Sequence, residues 1–115
     1  MTTVSVRQFS EYPGGRYRHI SEFSGEEFRE TVLEPALKSG GSVVVDLDGV
    51  VGYGSSFLEE VFGGIVRAKK WLSKDEVDRH LKIASQRQSW LVEAYQYIDE
   101  QLARSEKMNL KSGSS

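Results

Sequence analysis

Residues 42–66 read SVVVDLDGVVGYGSSFLEEVFGGIV, and this stretch determines the fold that the sequence predicts. The β-branched run at residues 43–45 continues to Leu47 and ends at the turn signal Asp48-Gly49. A short, unbroken apolar run of this kind is typical of a strand that is covered on both faces. The sequence therefore predicts that this run forms the central strand of a sheet.

An amphipathic helix is predicted directly after the turn. Apolar residues recur at helical spacing and charged residues occupy the rest of the helical wheel: Leu58, Val61, Phe62 and Ile65 against Glu59, Glu60, Arg67 and Lys69. Ser56 followed by Glu59 fits a capping box, in which each side chain accepts a hydrogen bond from the other residue's amide. Ser55 would then lie just outside the helix, beside unpaired amides and the positive end of the helix dipole, which favours a phosphate group.

Length and composition limit the class of protein. The 115 residues suffice for one domain with a hydrophobic core. Fifteen basic and 17 acidic residues give a formal net charge of −2, so no broad positive field favours nucleic acid or anionic membranes as partners. Cysteine is absent, and no apolar run approaches the ~20 residues of a membrane span. The N-terminus lacks the apolar core of a signal peptide, so we expect a cytoplasmic protein.

The elements before the central strand follow from local signals. Residues 3–9 alternate between apolar and polar and predict an outer strand, and residues 16–20 would return as a second strand after a Pro-Gly-Gly turn. Ser24 and Glu27 form a capping box that opens the first helix, which Pro35 should kink or shorten. Arg16 is expected to be solvated.

The elements after the core helix complete the domain. Ser73 and Glu76 form a further capping box at a short helical turn, residues 81–84 predict the last strand, and Ser85 precedes the last helix. The predicted order is β-β-α-β-α-β-α. We therefore expect an α/β fold with a mixed sheet of about four strands and three to four helices. The domain would span residues 1–106, followed by a disordered polar tail at 107–115.

Two aspartates at the end of the central strand suggest one enzymatic hypothesis. VVVDLDGV resembles the opening motif of haloacid-dehalogenase-type phosphatases, in which the first aspartate, here Asp46, attacks phosphorus and the second, Asp48, acts as acid and base. That family also needs a lysine and an acidic pair on later strands. Asp75-Glu76 is the only candidate for the acidic pair in this sequence. The alternative is a plain turn at Asp48-Gly49 with Asp46 pairing at the strand end.

Two glycine pairs allow other interpretations. Gly52-Tyr53-Gly54 lies between a strand and a helix, as in a dinucleotide-binding turn, but Phe57 stands where the third glycine would be. Gly63-Gly64 within a helix is unfavourable by about 1 kcal/mol per residue relative to alanine, which indicates either close packing or a docking partner.

Neither His19 nor His80 has a partner at ligand spacing, so we predict no metal and no cofactor.

Three segments resemble a known family: FSGEEFRETVLEPAL at 23–37, VVVDLDGV at 43–50 and SSFLEEVFGGIV at 55–66. Together they are similar to the STAS-like domain family of bacterial proteins of unknown function, over most of residues 3–100. That family is similar to the STAS domains of anti-sigma-factor antagonists, in which a strand leads into DSSGL at a helix start and a partner kinase phosphorylates the first serine. Ser55 matches the first serine and Ser56 the second, whereas Gly54 replaces the aspartate and Phe57 the glycine.

The resemblance implies a non-enzymatic protein-interaction module for signal transduction. Its partner would be a histidine-kinase-type ATPase that acts as a kinase or an anti-sigma factor, and Ser55 or Ser56 would be phosphorylated. The predicted partner-binding residues are Gly52, Tyr53, Gly54, Ser55, Phe57, Glu60 and Gly64. Two alternatives remain at this point: a small phosphohydrolase that uses Asp46 and Asp48, and a purely structural or oligomerising domain. The sequence does not determine the partner, the signal or the oligomeric state.

Overall fold

Three parallel strands form the sheet in the computed structural model, which describes the backbone of residues 1–113 and the side chains of residues 1–107. The strands are β1 (Thr2–Ser5), β2 (Val43–Asp46) and β3 (Leu81–Ala84), and they lie in sequence order with β2 in the middle. The register aligns Val4, Val45 and Ile83 across the sheet. The prediction of a central strand near residue 43 is thus confirmed.

Five helices lie between or after the strands within this part of the chain. A short helix, α1 (Val6–Phe9), follows β1, and α4 (Lys74–His80) precedes β3. The helix α2 consists of an α-helical part (Gly25–Phe28), a wide π-helical turn (Arg29–Leu33) and a second α-helical part (Glu34–Lys38). The helix α3 has the same three parts: Ser55–Leu58, the π-helical turn Glu59–Gly63, and Gly64–Lys69. The chain continues through the long helix α5 (Gln88–Gly113).

The hydrophobic core lies on one face of the sheet. Val43, Val45, Leu81 and Ile83 point into it and are buried, whereas Val44 is half-buried and Lys82 is exposed on the other face. Adjacent parallel strands joined by right-handed crossovers place both connecting helices, α2 and α3, on the same face. The prediction that β2 is covered on both faces is therefore wrong. The sequence does not show this, because valine lies on both faces of β2 and apolar residues therefore do not alternate with polar ones.

The predicted second strand at residues 16–20 does not form. Instead the backbone of this segment caps α2: the carbonyl of Gly15 accepts from the amide of Gly25 at 2.8 Å, and that of Arg16 from the amide of Glu26 at 3.0 Å. The two carbonyls thus accept hydrogen bonds from the first amides of α2 and not from a neighbouring strand. Consequently the described residues contain a parallel three-stranded sheet, and the predicted mixed sheet of four strands is not confirmed.

Two predicted helix starts are confirmed by their caps. The hydroxyl of Ser24 accepts from the amide of Glu27 at 3.1 Å, and that of Ser73 accepts from the amide of Glu76 at 3.2 Å. The π-helical turn of α2 ends two residues before Pro35, which has no amide to continue an α-helical pattern. Among the helices of the described chain, none combines the length and the apolar character that crossing a membrane requires. The predicted tail at 107–115 falls, beyond Lys107, outside the residues whose side chains are described.

Candidate functional site

The segment between β2 and α3 starts at the carboxyl end of the central strand, where sites of parallel sheets usually lie. The turn that follows β2 is built by two residues. A carboxylate oxygen of Asp46 accepts from the amide of Asp48 at 2.9 Å. Gly49 has a φ angle of 88°, and a Cβ atom there would lie 2.6 Å from Cδ of Arg7, so the turn requires glycine.

Asp48 connects two loops of the structure. One of its carboxylate oxygens accepts from the hydroxyl of Ser85 at 2.6 Å, and the other accepts from the amide of Gln86 at 2.8 Å. The side chain therefore ties the turn after β2 to the turn after β3. An open cleft of about 440 Å³ lies beside this turn and is lined by Ser5, Arg7, Gln8, Glu11, Asp46, Asp48 and Gly49.

Tyr53 anchors the next part of the segment. Its hydroxyl donates to the carbonyl of Leu47 at 2.6 Å. Its ring packs edge-on against Trp90 of α5, with centroids 4.8 Å apart, and lies 5.6 Å from the ring of Phe57. Burial raises the pKa of Tyr53 well above its usual range, and the negative charges of Asp46 and Asp48 add to this effect. Tyr53 is therefore a neutral, fixed support for the backbone on either side of it.

The two glycines beside Tyr53 face open space. A Cβ atom added at Gly52 or Gly54 would have no atom of the described residues within 4 Å. Val51 precedes them with 72% of its surface exposed, and Tyr12 is 70% exposed. These two residues are neighbours in space, since the amide of Val51 donates to the carbonyl of Glu11 at 2.9 Å. We call residues 51–55 the docking loop.

Ser55 is exposed and is the first residue of α3. The residue before the helix is Gly54, which has no side chain to cap it. The predicted capping box of Ser56 with Glu59 is therefore wrong, because the helix begins two residues earlier than predicted and the carboxylate of Glu59 binds two arginines instead. The amides of the first turn of α3 consequently have no hydroxyl or carboxylate cap from the residue at the helix start.

A tyrosine of α5 pairs with a carboxylate of the same helix. The hydroxyl of Tyr97 donates to a carboxylate oxygen of Glu93 at 2.8 Å. Burial raises the pKa of Tyr97, as do the hydrogen bond and charge of Glu93 and the charge of Glu100. The docking loop thus meets α5 through the contact of Tyr53 with Trp90.

Three of the predicted partner-binding residues are buried. Phe57 is part of the hydrophobic core, Glu60 is 5% exposed, and Gly64 faces α2. Their prediction as a contact surface is therefore wrong, because these positions of α3 point toward the protein interior. Gly52, Tyr53, Gly54 and Ser55 remain at the surface or half-buried, and they are the predicted residues that the structure brings together.

Glu60 belongs to a partly buried group of charges that the sequence did not reveal. We call it the ionic cluster, and its members are Arg16, Arg29, Glu34, Glu59, Glu60 and Arg67. Glu60 lies 3.0 Å from Arg29 and 3.7 Å from both Arg16 and Arg67. Arg16 was expected to be solvated but instead pairs with Glu59. The cluster thereby joins α2, α3 and the segment before α2.

The ionic cluster explains the pair Gly63-Gly64. A Cβ atom at Gly63 would lie 2.2 Å from a carboxylate oxygen of Glu59, and one at Gly64 would lie 2.9 Å from Nε of Arg29. The glycines therefore make room for charged side chains, which supports the packing interpretation. The sequence signal that could have indicated this packing is the pair of glutamates at 59–60, followed one helical turn later by the two glycines. Burial by itself would raise the pKa of Glu59, but hydrogen bonds and charges from Arg67 and Arg16 lower it overall.

The geometry defines a small α/β domain with an exposed serine at the start of the helix that follows its central strand. A comparison with protein families matches residues 24–88 to the family described as a STAS-like domain of unknown function. This match spans more than half of the chain and includes β2, the docking loop and α3, so the protein belongs to that family. Neither a curated protein nor a solved structure matches the chain.

Proposed function

We propose that this protein is a non-enzymatic regulatory module that binds a partner protein through its docking loop. The observation that carries this proposal is the pair Gly52 and Gly54. Apart from the adjacent residues, no atom of the described residues would lie within 4 Å of a Cβ atom at either position, so no contact inside the protein requires glycine there. By contrast, a Cβ atom would clash within the protein at Gly14, Gly25, Gly49, Gly63 and Gly64. Glycine permits a close approach to bare backbone, so a partner's surface supplies the missing reason for the two glycines.

The surroundings of the two glycines support docking. Val51 and Tyr12 are exposed and close along the backbone, and burying such side chains, tyrosine in particular, stabilises protein interfaces. The docking loop is also fixed by contacts within the protein, because Tyr53 packs against Trp90 and donates to the carbonyl of Leu47. A loop that is ordered before binding loses less conformational entropy in the complex.

The partner that we propose is a histidine-kinase-type ATPase that phosphorylates Ser55. In this reaction Oγ of Ser55 attacks the terminal phosphorus of a nucleoside triphosphate held by the partner, a new O–P bond forms, and the bond to the nucleoside diphosphate breaks. The proton of the hydroxyl passes to a base of the kinase. The exposure of Ser55 supports this assignment, and so does the match to a STAS-like family, because the sequence around Ser55 resembles that of anti-sigma-factor antagonists. Ser56 is also exposed and is the second candidate.

The phosphohydrolase hypothesis has weaker support. Both carboxylate oxygens of Asp48 already accept hydrogen bonds from the turn after β3, so a structural role accounts for this residue. Asp75 and Glu76 lie in the first turn of α4, where Glu76 accepts from the amide of Leu72 at 2.9 Å. We infer from these contacts that Asp46 and Asp48 stabilise turns and that Glu76 stabilises a helix start.

The experiment that tests docking is a bulky substitution at an open glycine. A partner is first retrieved from cells with the tagged protein and then titrated against purified variants. Gly52→Arg should weaken its binding by about tenfold or more, because it fills space that the partner would occupy, and it should leave the melting temperature nearly unchanged. Ser39→Arg, at the exposed end of α2, is the matched control and should bind like the wild type. Full affinity of Gly52→Arg would overturn the proposal.

A further inference from the structure

The two edges of the sheet are covered to different degrees. The outer strands are β1 and β3, and each of them pairs with β2 on one side. At the edge of β3, the amide of Ile83 donates to the hydroxyl of Tyr95 at 3.1 Å. A side chain of the long helix α5 therefore satisfies a backbone group of this edge, in the position that a further strand would take.

The edge of β1 has no such cover. The amide of Thr2 donates to the carbonyl of Ser42 at 2.9 Å, so the backbone groups of Thr2 face β2. Successive residues of a strand direct their amide and carbonyl to opposite sides, and those of Thr3 therefore point outward. Among the described residues, neither of these two groups of Thr3 has a hydrogen-bond partner on the outer side. Unpaired backbone groups at a strand edge are a template for a further strand.

A groove beside β1 adds apolar surface to this open edge. It has a volume of about 200 Å³ and is lined by Thr3, Val4, Ser5, Gln8, Phe9 and Val32. Val4 is aligned with the buried residues Val45 and Ile83, but it is only half-buried because β1 is the outer strand. Phe9 and Val32 are half-buried as well. An added strand would therefore gain backbone hydrogen bonds at the sheet and apolar contacts in the groove.

The composition of this edge favours a second copy of the same chain as the source of the added strand. β1 contains neither a charged residue nor proline, which natural proteins use to block exposed edges. On α2, the residues one turn after Val32 are Pro35 and Ala36, which are also uncharged. When two copies pair antiparallel about a two-fold axis, Thr3 lies directly or diagonally opposite its own copy. Self-pairing of β1 therefore opposes no like charges, and threonine pairs are favourable in this position.

We propose that this protein forms a two-fold symmetric dimer in which β1 pairs antiparallel with β1 of a second copy, so that the two three-stranded sheets become one continuous sheet. A stable interface typically buries about 800 Å² on each partner. A strand of four residues is only about 13 Å long, so the dimer is weak and forms at high protein concentration. No residue of the docking loop lines the groove. Pairing at β1 thus leaves both docking loops available, and a partner with two binding sites would bind the dimer with avidity.

Sedimentation equilibrium of the full chain over a wide range of concentrations tests this proposal. The wild type should pass from monomer to dimer as the concentration rises. Thr3→Pro should abolish the dimer, because proline lacks the amide that points outward. The melting temperature of the monomer should stay nearly unchanged, because this amide does not bind β2. Thr3→Val, which keeps the amide and a β-branched side chain, is the matched control and should dimerise like the wild type.

Two charged variants test whether the added strand comes from a second copy. Thr3→Lys and Thr3→Glu keep the amide but bring like charges together in the dimer, so each alone should dimerise several-fold more weakly than the wild type. An equimolar mixture of the two should restore dimerisation, because opposite charges then face each other. Melting curves establish that each variant is folded.

A wild type that stays monomeric at every concentration would overturn the proposal, and so would a dimer that Thr3→Pro leaves intact. A mixture of the charged variants that pairs no better than either variant alone would have the same consequence. If a retrieved partner bound the monomeric wild type but not Thr3→Pro, the edge of β1 would belong to that partner instead. The sedimentation measurements contain no partner protein, so their outcome is independent of docking through Gly52 and Gly54.

Discussion

At the scale of single residues, serines at the starts of different helices have different roles. Ser24 is buried and caps α2, whereas Ser56 is exposed and lies inside the first turn of α3. We therefore expect Ser24→Ala to lower the free energy of unfolding by about 0.5–2 kcal/mol through the lost cap. The same change at Ser56 should alter it by less than about 0.5 kcal/mol. Urea denaturation of both variants measures the difference, and equal losses would mean that Ser56 caps α3 in solution.

Ser55 allows stability and function to be separated. Ser55→Ala should keep both the fold and the affinity for the partner, because the side chain is exposed and caps no amide. Ser55→Asp should keep the fold but weaken partner binding, since it places a negative charge on the docking loop. Affinity measurements with the retrieved partner, together with melting curves, test this. Equal affinity of the two variants, with no phosphate on Ser55 in cells, would contradict the switch.

At the scale of helices and strands, the sequence predicted what local signals encode. Strand β3 begins and ends where the alternation of Leu81 and Ile83 places it, and the caps at Ser24 and Ser73 form as expected. These features depend on residues a few positions apart. The capping role assigned to Glu59 failed because Arg16, 43 residues away, and Arg67 bind its carboxylate. Such distant pairing leaves no periodic trace in a single sequence.

The two π-helical turns are another feature that the sequence did not show. Each widens its helix where members of the ionic cluster enter the interface: Arg29 in α2, and Glu59 with Glu60 in α3. Glycine at position 64 lets these helices approach, since a Cβ atom there would lie 2.9 Å from Nε and 3.1 Å from Cδ of Arg29. The packing of α2 on α3 therefore depends on a missing side chain.

Gly64→Ala tests this dependence. Helix propensity alone would favour alanine by about 1 kcal/mol. We nevertheless expect the free energy of unfolding to fall by about 1–3 kcal/mol, because the added methyl group displaces a side chain of the partly buried ionic cluster. Gly52→Ala is the control, with open space around the new methyl group, and should remain within about 0.5 kcal/mol of the wild type. A stabilising effect of Gly64→Ala would show that Arg29 moves aside at little energetic cost.

At the scale of the whole molecule, the sheet and the ionic cluster stabilise different parts of the fold. The sheet holds the hydrophobic core on one face, and a single sequence cannot show which face, since β2 carries valine on both. The ionic cluster joins the segment before α2 to α2 and α3, and the amide of Gln101 on α5 accepts from Arg67 at 2.8 Å. Its charges make the stability of the assembled helices depend on pH.

The sign of this pH dependence follows from Glu59. Its pKa in the folded protein lies below the ordinary value of 4.5, because the pairing with Arg67 and Arg16 outweighs burial. The unfolded chain therefore binds a proton at a higher pH than the folded protein does. Stability from this residue is fully present above the unfolded pKa and is lost as the pH falls through the folded pKa. We expect the free energy of unfolding to decrease as the pH falls from about 5 to 3.

Glu59→Gln separates this residue from the other carboxylates. At pH 7 the variant should lose about 1.5–3 kcal/mol, because it removes a charged hydrogen-bond acceptor from two arginines in a partly buried site. Between about pH 5 and 3 its stability should fall less steeply than that of the wild type, since one carboxylate with a lowered pKa is missing.

Glu30→Gln, which removes an exposed pair with Arg18, is the matched control and should change stability by about 0–1 kcal/mol. Urea denaturation at several pH values measures both effects, and a slope equal to that of the wild type would show that Glu59 does not carry the acid dependence.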